Sequence, residues 1–118
     1  MTINELIARV WKRVTGNSLD PPESHDSEII AESYEGVYAS LLADGLVSWG
    51  PTPVAEPYET DIIPEAVKAP LTGLIYEDVK GIYGKGEANP AMREVYRREM
   101  ARILANPYTP DTTEAEYF

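Results

Sequence analysis

The chain contains no cysteine and only one histidine, His25. These two shortages exclude disulfides, thiolate chemistry and any multi-histidine metal site. One phenylalanine stands against eight tyrosines, so most aromatic rings keep a polar end and belong at half-wet boundaries. No run of about 18 apolar residues is present that would span a bilayer. Residues 1–15 carry Glu5, Arg9, Lys12 and Arg13 where a signal peptide would be apolar, so a soluble protein used without export, and without a membrane partner, is expected. The most informative shortage is of positive charge: residues 15–67 hold no Lys or Arg but eleven Asp and Glu. With a net charge of −10, generic nucleic-acid binding is disfavoured, because neutralising phosphates takes clustered bases.

What is present suffices for one domain. A length of 118 residues with 43% hydrophobic content supports one modest core and leaves no room for a second. Thr2 and Glu5 have the spacing of a capping box. Ile3, Leu6, Ile7, Val10, Trp11 and Val14 follow at helical spacing, with Glu5, Arg9 and Lys12 opposite and Gly16 as the stop. Pro21 and Pro22 then force a loop, in which Ser24, Asp26 and Ser27 each offer an N-cap. A second helix places Ile30, Tyr34, Val37, Tyr38, Leu41 and Leu42 on one face and ends at Gly45, with Leu46 set to close a Schellman cap. Its other face carries Glu28, Glu32 and Glu35, whose mutual repulsion costs about 0.2 to 0.5 kcal/mol per pair.

The stretch "WGPTPVAEPYETD" has three prolines and is expected to be an extended connector. Pro64 suits the entry to a third helix, with Val67, Leu71, Leu74, Ile75 and Ile82 as its apolar positions and a kink at Pro70. After the turn "GKGEANP", Asn89 and Pro90 open a fourth helix bearing Met92, Tyr96, Met100 and Ile103, with Arg93, Arg97, Arg98 and Arg102 elsewhere on its surface. Asn106-Pro107 is expected to end it. "LVSW" and part of the tail are candidates for short edge pairing. The expected fold is all-α: a small four-helix bundle over residues 1–106, with a kinked third helix and an extended C-terminal tail over 107–118.

No catalytic constellation emerges. Ser24, His25 and Asp26 supply the residue types of a hydrolase triad, but consecutive residues cannot aim at one another in a relay. Gly84-Lys85-Gly86 lacks the length, the terminal Lys-Ser/Thr and the preceding strand of a phosphate loop, so it is a helix-helix turn. Asp78 falls among the apolar positions of the third helix, where a carboxylate needs a partner, an arginine of the fourth helix being the nearest candidate. No cofactor, metal or enzymatic activity is expected. The unusual features concern interaction. Arg93, Arg97, Arg98 and Arg102 are suited to bidentate carboxylate pairing, while the second helix and the connector are acidic. The two surfaces either pair within the chain or stay solvated, or they pair between subunits, head to tail.

The segments "INELIARVWKRVTG", "IIAESYEGVYASLLADGLVSWG" and "DIIPEAVKAPLTGLIYEDVKGIYG", followed by an arginine-bearing helix and a tail with aromatic residues, together resemble the head-to-tail adaptors of tailed bacteriophages, in particular podovirus tail accessory factors. The resemblance covers essentially the whole chain as a pattern of helices and caps. It implies a structural virion protein of the neck, present in host cytoplasm during assembly, that forms a ring of about twelve subunits beneath the portal. The portal protein and a tail nozzle or tail tube protein would be its partners, with DNA passing through transiently during ejection.

In such adaptors the C-terminal tail reaches the portal. Pro107, Tyr108, Thr109, Pro110, Tyr117 and Phe118 would then form the docking segment, on the portal or on a neighbouring subunit. Residues 106–118 reach at most about 45 Å when extended. The family's ring also implies a negative lumen, which repels DNA phosphates; Glu28, Glu32 and Glu35, or Glu56, Glu59 and Asp61, would line it. The connector here is shorter than in longer adaptors, so the surface that meets the tail stays open. A small acidic regulatory or inhibitor protein, presenting its carboxylates to a basic host partner, is the alternative.

Overall fold

Thr2 begins the first helix as its spacing demands: the Glu5 amide donates to Thr2 Oγ1 (3.0 Å) and the Thr2 amide donates to Glu5 Oε1 (2.8 Å). The computed structural model, which describes residues 1–17, 19–47, 49 and 62–105, runs α1 (Ile3–Thr15), α2 (Ser24–Ala43), a 3-10 turn (Glu65–Val67), α3 (Lys68–Val79) and α4 (Pro90–Ala105). The protein is a small all-α bundle, and the described residues form no strand. "LVSW" forms none within its described residues, and the connector and residues 106–118 lie outside the description.

Each helix end has a local cause. Gly45 takes the left-handed conformation (φ 73°), which a glycine adopts without steric cost. Its amide donates to the Leu42 carbonyl and the Leu46 amide to the Leu41 carbonyl, the two bonds of a Schellman motif. At the start of α2 the cap is Glu23 and none of the expected Ser24, Asp26 and Ser27, which all lie inside the helix; Asp26 Oδ2 accepts from the Glu23 amide at 3.2 Å. Asn89 Oδ1 accepts from the amides of Ala91 (3.0 Å) and Met92 (3.2 Å), capping α4. Proline at the first helical position lacks only an amide that would have been unsatisfied anyway.

The discontinuity expected at Pro70 falls three residues earlier. Val67 adopts φ −100°, ψ 5° between the 3-10 turn and α3, and Pro70 sits in the first turn of α3, where a missing amide breaks no helical bond.

α3 is the central element and touches α1, α2 and α4. It is therefore buried on nearly every side: Leu71, Thr72, Gly73, Leu74, Ile75, Glu77 and Val79 are all inaccessible or nearly so. Around it pack Leu6, Ile7, Val10 and Val14 of α1, Ile30, Tyr34, Tyr38 and Leu41 of α2, and Met100 of α4. Two expected core positions point outward instead, and a third group, on α4, is only half-buried. Ile82 lies beyond the end of α3 and is 63% exposed, Leu42 is 46% exposed, and α4 buries fully only Met100, with Met92, Tyr96 and Ile103 half-buried.

α4 approaches α3 closely at Gly73, where a Cβ would stand 2.4 to 2.6 Å from Tyr96 ring carbons. Glycine inside a helix ordinarily costs about 1 kcal/mol relative to alanine, so this one is retained by contact. Gly73→Ala is expected to destabilise by about 1 kcal/mol net, since displacing the ring outweighs the gain in propensity. In the Tyr96→Ala background the same substitution should stabilise by about 1 kcal/mol. Urea melts of the four proteins would check the cycle; equal effects in both backgrounds would refute the contact.

Candidate interaction surfaces

The acidic face of α2 is as the periodicity places it. Glu28, Glu32 and Glu35 are all exposed, and none of them forms an ion pair among the described residues. Glu56, Glu59 and Asp61 lie outside the described residues, as do Pro107, Tyr108, Thr109, Pro110, Tyr117 and Phe118.

The arginines of α4 are mostly engaged within the chain. Arg97 pairs with Asp44 at the end of α2, Arg98 with Glu94 at 3.3 Å and Arg102 with Glu99 at 3.9 Å. The last two are exposed neighbours on one helix, a kind of pair worth about 0.3 to 0.5 kcal/mol. Arg93 is half-buried and has no ion pair among the described residues. The only one of these contacts that joins the acidic half to α4 is Arg97 to Asp44.

A basic surface that periodicity assigned merely to the solvated side of α1 is more distinctive. Arg9, Lys12 and Arg13, with Ala69 and Thr72 of α3 and Gly16 at its end, line an open groove of about 470 Å³. No carboxylate is among its lining residues. Arg9 Nε donates to Thr72 Oγ1 (3.2 Å), and the Thr72 hydroxyl donates to the Lys68 carbonyl (2.5 Å). Arg13 Nη2 donates to the Tyr96 hydroxyl at 2.8 Å, with its guanidinium carbon 4.6 Å from the Tyr76 ring centroid. Arg13 thus bridges α1 to α4. The spacing of the three bases, one helical turn, was visible in the sequence; the small residues of α3 that open the space beneath them were not.

The buried carboxylate of α3 is Glu77, and the expectation for Asp78 needs correction. Asp78 is exposed, and its Oδ2 accepts from the Ser33 hydroxyl of α2 at 2.7 Å instead of meeting an arginine of α4. Glu77 is 3% exposed, and its Oε1 accepts from the Asn89 amide (2.8 Å) and pairs with Lys80 (2.9 Å). Burial alone would raise its pKa, but the bonds from Lys80 and the Asn89 amide, with the charges of Lys80 and Arg13, together hold it below the usual carboxylate value. It ties the end of α3 to the cap of α4.

Asp26 plays the matching part for α2. The Tyr83 hydroxyl donates to Asp26 Oδ1 at 2.8 Å; burial and this acceptor push the phenol pKa well up. The Tyr83 ring stands edge-on to Trp11 at 5.6 Å, and Trp11 Nε1 donates to the Asp20 carbonyl. His25 points to solvent, 3.4 Å from Asp26 and 3.8 Å from Glu23. Ser24, His25 and Asp26 thus occupy successive directions of the first turn of α2 and form no relay. Gly84 and Gly86 have φ of 71° and 101° in the turn between α3 and α4. Among the described residues no three His, Cys, Asp or Glu gather as a metal site, and no helix is long and apolar enough to cross a membrane.

Comparison with known protein families, with curated proteins and with solved structures gives no match to this chain.

Proposed function

We propose that the chain is a head-to-tail adaptor of a bacteriophage neck, a structural protein that forms a ring beneath the portal and joins it to the tail. The observation that carries this reading is the separation of charge on the bundle. One helix face presents Glu28, Glu32 and Glu35 without counterions among the described residues, and another presents Arg9, Lys12 and Arg13 without carboxylates among the groove's lining residues. Surfaces of opposite sign on different elements of one molecule suit heterologous contacts, which close into rings when the rotation permits. Residues 107–118 serve as the portal-docking segment, and part of the Glu28, Glu32 and Glu35 face, or Glu56, Glu59 and Asp61 of the connector, faces the DNA channel, where negative charge keeps phosphates from adhering.

Mixing the chain with purified portal is expected to yield a ring of added density below the portal in electron micrographs, from a chain that is monomeric or weakly associated alone. Chain that stays free of the portal would overturn the reading, and a ring with both sets of acids on its outer wall would remove the lumen assignment. The same unpaired glutamates also favour a second reading, an acidic regulatory protein. One-to-one capture by a basic protein, with no assembly on the portal, would select it.

A further inference from the structure

The bases of α1 and the acids of α2 repeat at the same interval. Arg9 and Arg13 stand four residues apart, as do Glu28 and Glu32, so each pair is separated by about 6 Å along its helix. All four residues are exposed, and none has an ion pair among the described residues. The two bases are already held in place, Arg9 by the Thr72 hydroxyl and Arg13 by the Tyr96 hydroxyl and the face of Tyr76. Each keeps further N–H groups, since a guanidinium has five, and a side chain fixed beforehand loses less entropy when a carboxylate arrives. The two surfaces lie on one molecule without meeting, so the contact open to them is between copies, head to tail.

The third carboxylate fixes the direction in which the helices pass. Glu35 lies about 4.5 Å beyond Glu32 along α2. In a parallel register Glu28 meets Arg9 and Glu32 meets Arg13, and Glu35 falls over Gly16, where the helix has ended and no base follows. In an antiparallel register Glu28 meets Arg13 and Glu32 meets Arg9, and Glu35 falls over the first turns of α1. There a second hollow of about 270 Å³, lined by Ala8, Glu65 and Lys68 among others, shares Arg9 with the groove and supplies another base in Lys68. Lys68 already pairs with Glu65 at 3.6 Å, so it contributes less than the arginines. Shape agrees with charge: Gly36 follows Glu35 in the middle of α2, and no atom lies within 4 Å of where its Cβ would stand. Unlike Gly73, it has no close neighbour within the chain, and the antiparallel register sets it over the second hollow. The net charge of −10 opposes association, but at physiological salt it is screened beyond about 8 Å, a distance inside which the contact pairs fall.

We propose that the α1/α3 groove receives the acidic face of α2 from a neighbouring copy, with the helices antiparallel, Glu32 on Arg9 and Glu28 on Arg13. The inference rests on the adaptor reading for its ring and supplies the subunit contact of that ring. It also narrows the channel lining, because carboxylates neutralised at a subunit boundary leave the lumen to the connector acids.

Charge exchange tests the contact. Arg9→Glu or Glu32→Arg alone sets like charges opposite each other between identical copies, which should weaken self-association by roughly tenfold or more and remove the ring from the portal. Both positions are exposed, so circular dichroism of the free chains should not change. Mixing the two variants restores opposite signs at every alternate contact, and the double variant restores them in one chain, so both are expected to recover assembly. Glu28→Arg should not rescue Arg9→Glu; rescue by it would overturn the antiparallel register. The lack of cysteine allows a second measurement independent of charge. Arg9→Cys with Glu32→Cys, treated with a short bis-maleimide, should give a ladder of products beyond the dimer, in the concentrated free chain or on the portal, whereas either single variant stops at the dimer. Rings on the portal that survive both single charge variants, or that mixing does not restore, overturn this contact and leave the adaptor reading standing. Rescue and ladders in the free chain with no ring on the portal support the contact and overturn the adaptor reading. Absence of a ladder in both settings overturns the contact.

Discussion

Glu77→Ala is expected to lower the melting temperature by about 10 °C, because the substitution leaves two groups without their partner at the junction of α3 and α4. The Asn89 amide loses its acceptor, and Lys80, whose side chain is 14% exposed, loses its counterion. Removing one member of a buried, hydrogen-bonded pair costs about 2 to 4 kcal/mol, and for a domain of this size 1 kcal/mol corresponds to roughly 4 °C. Glu77→Gln keeps an acceptor for Asn89 and should cost about half as much. Thermal unfolding followed by circular dichroism measures both. Melting of the alanine variant within 1 °C of the parent would show that Lys80 and Asn89 find water or other partners at no cost.

The same residue sets a pH dependence with a definite sign. The pKa of Glu77 is lower in the folded chain than in the unfolded one, so the unfolded state takes up its proton first as pH falls. The stabilisation is fully present above the unfolded value of about 4.3 and is lost as pH drops through the lower folded value. Urea midpoints of the parent should fall below about pH 4.5, and those of Glu77→Gln should fall less steeply over the same interval. Parallel profiles would remove Glu77 as the source.

Why the sequence pointed to Asp78 and not to Glu77 follows from the position of α3. A helical stripe identifies the buried face of a helix that meets the core on one side, and α1 obeys: Leu6, Ile7, Val10 and Val14 are buried while Arg9 and Lys12 are not. α3 has neighbours on three sides, so its burial has no single face. Asp78 shares the helical spacing of Leu71 and Ile75, but it lies in the last turn, is exposed, and has Ser33 of α2 as its partner. Glu77 takes a partner, the Asn89 amide, from twelve positions later in the chain, a contact that local periodicity does not encode. Caps were legible for the opposite reason, because Thr2 with Glu5, Gly45 with Leu46, and Asn89 with Pro90 complete their hydrogen bonds within a few residues. The acidic face of α2 was legible too, being one helix's own periodicity. The basic groove was not, because its floor and its walls come from α1 and α3, more than fifty residues apart.

Deletion of residues 107–118 is expected to abolish portal docking while moving the melting temperature by less than about 3 °C. The second half of this expectation rests on the core: the described apolar cluster is assembled from residues up to Leu104, and no buried polar side-chain atom among the described residues lacks a partner. The first half rests on the chemistry of the segment under the adaptor reading. Tyr117 and Phe118 are anchors of the kind that dominate interfaces, where loss of one costs about 2 kcal/mol or more. Losing both weakens binding by roughly a thousandfold. Sedimentation with purified portal separates the outcomes, and the double variant Tyr117→Ala, Phe118→Ala isolates the aromatic contribution from the acidic one. If that variant docks like the parent but Asp111→Asn, Glu114→Gln, Glu116→Gln does not, charge and not the aromatic pair holds the partner. If the truncated chain docks normally, the docking surface lies on the bundle, and the separated charges of α1 and α2 become the contacts to substitute next.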